Sequence, residues 1–234
     1  MRRLISYLPL LLTCSVVASA VASAAIPTDC WSLRNHGHRT EAQACFEALT
    51  RSADAYTRAE GYWGLEEWDQ ANEQFRLATQ PANSKALYKV RWGMLLHERF
   101  NNPEAAALFH EALSKDPSNA EAYLGLAIVS ADGFDSKATE YTAKAIALDP
   151  KLARAHELMA NLALENDESD LAVEEADKAL ALDKDALDAM AIRAASAETV
   201  FAAASKAPTR ALPSGASNAS PCPTAQLLMV NGLI

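Results

Sequence analysis

The chain has 234 residues, half of them hydrophobic, only 8 glycines, and a net charge of −9. It is long enough for one sizeable domain or an elongated repeat array, and alanine-rich, glycine-poor composition favours packed helices over sheet. The acidic balance, with no basic cluster after residue 25, excludes the lysine- and arginine-rich footprint that phosphate-backbone binding requires.

The first stretch, MRRLISYLPLLLTCSVVASAVASAA, has Arg2 and Arg3, an apolar run from Leu4 to Val17, and the small-x-small pattern Ala22-Ser23-Ala24. It reads as residues 1–24 of a signal peptide, cleaved near Ala24, which implies an exported protein of the periplasm or the extracellular space. As a membrane anchor the run is weaker, because Pro9, Thr13 and Ser15 interrupt it and it falls short of the roughly 20 apolar residues of a span. Lipidation at Cys14 is disfavoured by Thr13 before it. Cleavage leaves 19 basic against 30 acidic residues, a net of −11.

Next come Cys30 and Cys45. In an oxidising compartment they can bridge a small helical hairpin, or they can stay buried as free thiols; the sequence leaves both open. His36-Gly37-His38 between them reads as a polar turn rather than a metal site.

From here the chain repeats itself. EAQACFEAL places Ala42 and Phe46 four apart; QANEQFRLA gives Ala71, Phe75 and Ala78; EAAALFHEALSKDP gives Ala105, Phe109, Ala112 and Pro117. KATEYTAKAIALDP follows with Ala138, Ala145 and Pro150, and LAVEEADKALALDK with Ala172, Ala179 and Lys184 where proline is expected. Offsets of four and seven put these residues on one helix face, and small alanines at both ends of the stripe admit a close partner helix. Asp-Pro then stops the helix. Thr142 and Ala176 stand where the larger middle residue is usual. The first helices carry their own stripes: Tyr123, Leu126, Ala127 and Val129, then His156, Met159, Ala160 and Leu162.

The interval from Pro117 to Pro150 is 33 residues and from Pro150 to Lys184 is 34, and with those residues the chain resembles the tetratricopeptide (TPR) repeat family over roughly residues 30 to 204. The resemblance implies an all-α, helical-hairpin solenoid forming a right-handed superhelix. Its approximate units are 30–52, 53–82, 83–117, 118–150 and 151–184, closed by a terminal helix over 185–204. Residues 205–234, rich in proline, serine and alanine, read as a disordered tail; the abrupt loss of pattern also fits a truncated or frame-shifted end. More loosely, RWGMLLHERFNNPEAA and VSADGFDSKATEY resemble the TPR region of larger exported bacterial proteins that carry a metallopeptidase-like domain downstream. On that alternative this chain is a relative without the enzyme.

Three His-Glu pairs invite a zinc-protease reading, since H-E-x-x-H sets two imidazoles one turn apart. The second imidazole is absent in each case: Asn101 follows His97-Glu98, Ser114 follows His110-Glu111, and Ala160 follows His156-Glu157. No phosphate loop, G-x-S-x-G elbow or C-x-x-C pair occurs, so no catalytic residue, metal or cofactor is expected. What the resemblance implies instead is a concave groove for a protein or peptide partner, lined one and five positions after the packing residue. Those places hold Leu124 and Ile128, then Glu157 and Asn161, with Tyr56, Glu60 and Trp63 as the counterparts in an earlier unit. A carboxylate clamp is disfavoured, because only Asn161 suits one; the apolar and acidic lining suits an apolar or basic segment. Self-association stays open.

Overall fold

The computed structural model describes residues 26–206, with side chains through residue 196. The expected signal peptide with Cys14, and the tail with Cys222, lie outside the described residues. Among those described, the chain forms eleven α-helices and no strand. They are α1 (Pro27–Asn35), α2 (Arg39–Leu49), α3 (Ala55–Gly64), α4 (Trp68–Thr79), α5 (Ala86–Glu98), α6 (Asn102–Lys115), α7 (Ala120–Asp132), α8 (Lys137–Leu148), α9 (Ala153–Glu165), α10 (Ser169–Leu182) and α11 (Leu187–Lys206). Consecutive helices pair as antiparallel hairpins, each stacked on the next, and α11 covers the face of the last pair. None of the described helices is long and apolar enough to cross a membrane.

The alanine frame does what its spacing requires. Ala71, Ala105, Ala112, Ala145, Ala172 and Ala179 are completely buried, and Phe46, Phe75 and Phe109 sit between the stripes with at most 1% exposure. Two glycines make room for one ring: a Cβ built on Gly93 or on Gly125 would stand 2.6 and 2.4 Å from Phe109 Cε1. Such contacts are far inside van der Waals distance, so the ring of α6 needs glycine on both α5 and α7. In the α7/α8 hairpin Thr142 takes the ring's place, fully buried, its hydroxyl donating to the Ala138 carbonyl at 2.7 Å.

Two kinds of turn recur between the helices. At the end of each of α6, α8 and α10 an aspartate leaves helical geometry, with φ of −138°, −137° and −135° at Asp116, Asp149 and Asp183. Its carboxylate accepts the backbone N–H two residues on, from Ser118, Lys151 and Asp185 at 3.1, 2.9 and 2.9 Å. This Asx turn is made by the aspartate, which is why Lys184 in place of proline leaves the third copy intact. Inside the hairpins the turn residue is left-handed: Glu66, Phe100, Phe134 and Asp167 have φ of 62°, 58°, 53° and 62°. Glycine is the residue this geometry favours, yet two of the four are phenylalanines, 92% and 91% exposed.

At the N-terminus Cys30 and Cys45 are bonded, with their Cα atoms 5.4 Å apart, joining α1 to α2. Of the two sequence alternatives, the structure holds the bridge.

Candidate functional site

The concave face is built by the first helix of each hairpin. Its N-terminal end is a cleft of about 470 Å³ whose lining includes Trp31, Tyr56, Leu87, Arg91 and Glu121, contributed by α1, α3, α5 and α7. That α1 and α7 border one cleft, three hairpins apart, shows how strongly the solenoid curves.

The floor of this cleft is a buried polar and aromatic cluster. Glu60 is fully buried, and its carboxylate accepts three N–H donors. Trp31 Nε1 donates to Oε2 at 2.7 Å, Arg91 Nε to Oε1 at 2.7 Å, and Arg91 Nη2 to Oε2 at 2.7 Å. The Arg91 guanidinium lies 4.2 Å from the centre of the Trp63 ring and 5.4 Å from that of Trp31, within cation–π range. Burial works against its charge, but the hydrogen bonds and charge of Glu60 prevail and hold its pKa above the ordinary arginine value. Trp63 in turn donates from Nε1 to Glu98 Oε2 at 2.8 Å. Tyr56 stacks on Tyr88 with centroids 4.3 Å apart. Burial, and then the charge of Glu60, push its hydroxyl well above the usual tyrosine range, so it stays a neutral donor. Three donors thus converge on the Glu60 carboxylate. The cluster fixes the positions of Trp31 and Arg91 at the floor of the cleft.

Further along the face, Glu157 and Asn161 of α9 meet Asp188 of α11. Asn161 Nδ2 donates to Asp188 Oδ2 at 3.4 Å, and partial burial followed by the charge of Asp188 raises the Glu157 carboxyl above its ordinary value. Arg154 opposes that rise, but burial and the neighbouring carboxylates prevail.

Of the residues expected at the groove, Tyr56, Glu60 and Trp63 are brought together, as are Glu157 and Asn161. Trp63, 3% exposed, and Glu60 act from beneath the surface. Leu124 is 2% exposed and packs with Ala145 and Ala155, while Ile128 is half-buried against it, so this pair joins the two ends as packing. His156 is buried too: Nδ1 lies 2.6 Å from Glu175 Oε2 and Nε2 3.1 Å from the Pro150 carbonyl. Burial opposes ionisation of Glu175, but the bonds from His156 and Lys178 hold its carboxyl below the ordinary value. Among the described residues no group of three or more histidines, cysteines and carboxylates is placed to hold a metal.

Trp31, Leu87, Arg91, Glu121 and Asp188 were not among the expected groove residues. A signal for three of them existed. Leu87, Glu121 and Asp188 occupy one register, 34 residues apart from Leu87 to Glu121 and 67 from Glu121 to Asp188. Leu87 and Glu121, two before the packing position, line the cleft, and the same register continues through Arg154 to Asp188. Trp31 and Arg91 have no such signal, since only folding brings α1 and α5 to Glu60.

No protein-family model matches the chain, and no curated protein matches it. Solved structures do. One is TTC0263, a thermophilic TPR protein of Thermus thermophilus, with TM-score 0.59 and 19% identity over 75% of this chain and 97% of that one. Another is PilW, a widely conserved type IV pilus biogenesis factor, with TM-score 0.53 and 22% identity over 77% of this chain and 91% of that one. The fold is a TPR-like helical-hairpin solenoid. The looser resemblance to metallopeptidase-linked repeat regions finds no support among them.

Proposed function

We propose that this chain is an exported scaffold that holds an extended segment of a partner protein along its concave face and performs no catalysis of its own. The observation that carries the reading is the aromatic-floored cleft at the N-terminal end of that face, with Glu121 in its lining and Glu157 and Asp188 on the later first helices. Apolar side chains of the segment would enter between Trp31, Tyr56 and Leu87. Basic ones would face the carboxylates, because opposite charge across an interface selects partners and speeds encounter. Pocket residues fixed by bonding lose little freedom on binding, which preserves affinity: Trp31 is held by Glu60, and Arg91 by Glu60 and two rings.

Export rests on the basic start, apolar run and small-residue site before Ala25, and is consistent with a bridged Cys30–Cys45 pair.

The test is a peptide-array selection with the mature chain, followed by calorimetry on the best binders. Selected peptides should pair an apolar or aromatic residue with lysine or arginine. Tyr56→Ala and Glu121→Lys should each weaken binding about tenfold, roughly 1.4 kcal/mol, with unchanged circular dichroism. Binders indifferent to both substitutions, or an array without binders, would remove the reading.

A further inference from the structure

The two ends of the solenoid touch. His36, in the turn between α1 and α2, places Nε2 3.1 Å from Asp185 Oδ2, in the turn between α10 and α11. The other ring nitrogen, Nδ1, lies 2.8 Å from the Ser32 carbonyl. The Ser32 hydroxyl lies 3.5 Å from the same nitrogen, so the ring is held from its own helix while Nε2 faces the carboxylate. His36 borders the aromatic cleft, and Asp185 stands three residues before Asp188, which holds Asn161 at the far end of the groove. The contact therefore joins the α1–α2 turn to the α10–α11 turn, at opposite ends of the array.

Both partners sit on prepared turns. The His36 turn is fixed by Gly37 at φ 81°, by His38 N–H donating to the Leu33 carbonyl at 2.9 Å, and by the disulfide that anchors α1. The Asp185 N–H is held by Asp183 at 2.9 Å. The charged groups flanking the pair are Arg34, His38 and Arg39 on one turn and Asp183, Lys184 and Asp188 on the other. Arg34 is committed to Glu66 at 3.2 Å. The side chains of the pair are themselves 55% and 64% exposed, and a pair so exposed shifts a conformational balance by about fivefold at most.

We propose that His36 and Asp185 form a clasp that closes the groove into a ring, and that the solenoid admits a bound segment by flexing this clasp open. The proposal rests on the peptide-binding reading for its purpose but not for its test. Solenoids suit such a device, because each repeat contacts only its neighbours and small rotations accumulate along the array.

Spin labels at Gln43→Cys and Ala181→Cys, with Cys14→Ser and Cys222→Ser, report the distance between the ends in the full chain at about pH 6, on the acidic side of where histidines ordinarily titrate. The clasp predicts one dominant short distance. In His36→Gln and in Asp185→Asn alike, a longer population should grow by up to about fivefold. Distance distributions unchanged by both substitutions would overturn the clasp. Association of a lysine- and phenylalanine-containing peptide is followed in parallel, and should be faster in both variants. If the distances respond and no peptide binds, the clasp stands and the peptide reading falls. If peptides bind while the distances stay fixed, the reverse holds.

Discussion

The two halves of the array use one alanine frame around different fillings. At successive equivalent positions stand Phe75, Phe109, Thr142 and Ala176, all completely buried. Around the first two, a continuous core takes in Trp63, Leu95, Met94 and Leu126, beside buried Glu60 paired with partly exposed Arg91. Around the last, the core among the described side chains is Ala160, Ala163, Ala172, Ala176, Ala179, Ala186 and Ala189 with Ile192. A buried ring removes far more apolar surface from water than a methyl does, and burying a large side chain contributes about 1.5–3 kcal/mol. The N-terminal half is therefore held by bulk. The C-terminal half relies on close helix approach and on the His156–Glu175 bond between α9 and α10. The aromatic half also builds the cleft, so the same side chains that give it cohesion shape its binding surface.

Truncating the filling is the harshest way to break this comparison. Phe109→Ala should destabilise by about 3–5 kcal/mol, read by urea denaturation, while Ala176→Gly should cost only about 1 kcal/mol, the helix-propensity difference. Equal effects would mean that the halves do not differ in how they are held. Removing one member of the Glu60–Arg91 pair comes next. Arg91→Leu leaves Glu60 buried and unpaired, at about 3–5 kcal/mol, and the Glu60→Leu, Arg91→Leu double variant should recover most of that loss. If it recovers nothing, the packing of Arg91 on Trp63 outweighs its charge.

Reduction of Cys30–Cys45 should cost about 3 kcal/mol, the scale for a closed loop of some 15 residues. Hydrogen exchange should show the loss greatest in α1 and α2 and reaching α3 through Trp31; an equal loss in α5 and α6 would contradict that. The smallest effect has the opposite sign. Phe134→Gly relieves a left-handed bulky residue and should stabilise by about 1 kcal/mol, measured as a rise in Tm. A fall would show that the exposed ring is held by contacts that its 91% exposure does not reveal.

Legibility followed the same division. Alanine and phenylalanine at offsets of four and seven carry a helical face and a packing partner in a few letters, so the fold could be read wherever the period held. Thr142 and Ala176 broke the residue pattern but not the frame, because small residues still let helices meet. The groove was legible only as register. Counting from the packing residue reached Glu157 and Asn161, and also Leu124, which the curvature of the array turns into the core. His156-Glu157 shows the limit well: the dipeptide resembles half a metal motif, but His156 bonds Glu175, nineteen residues on, while Glu157 faces Asp188.

By itself, then, the sequence determined the helical hairpins, their period and their alanine-lined interfaces, because these depend on propensity and on spacing within one or two helical turns. Only the tertiary structure decided that Trp31 and Arg91 converge on Glu60, that Leu124 is packing rather than lining, and that His36 meets Asp185. Those contacts depend on the accumulated curvature of the stack, a sum of small rotations at every helix interface that no local run of residues encodes.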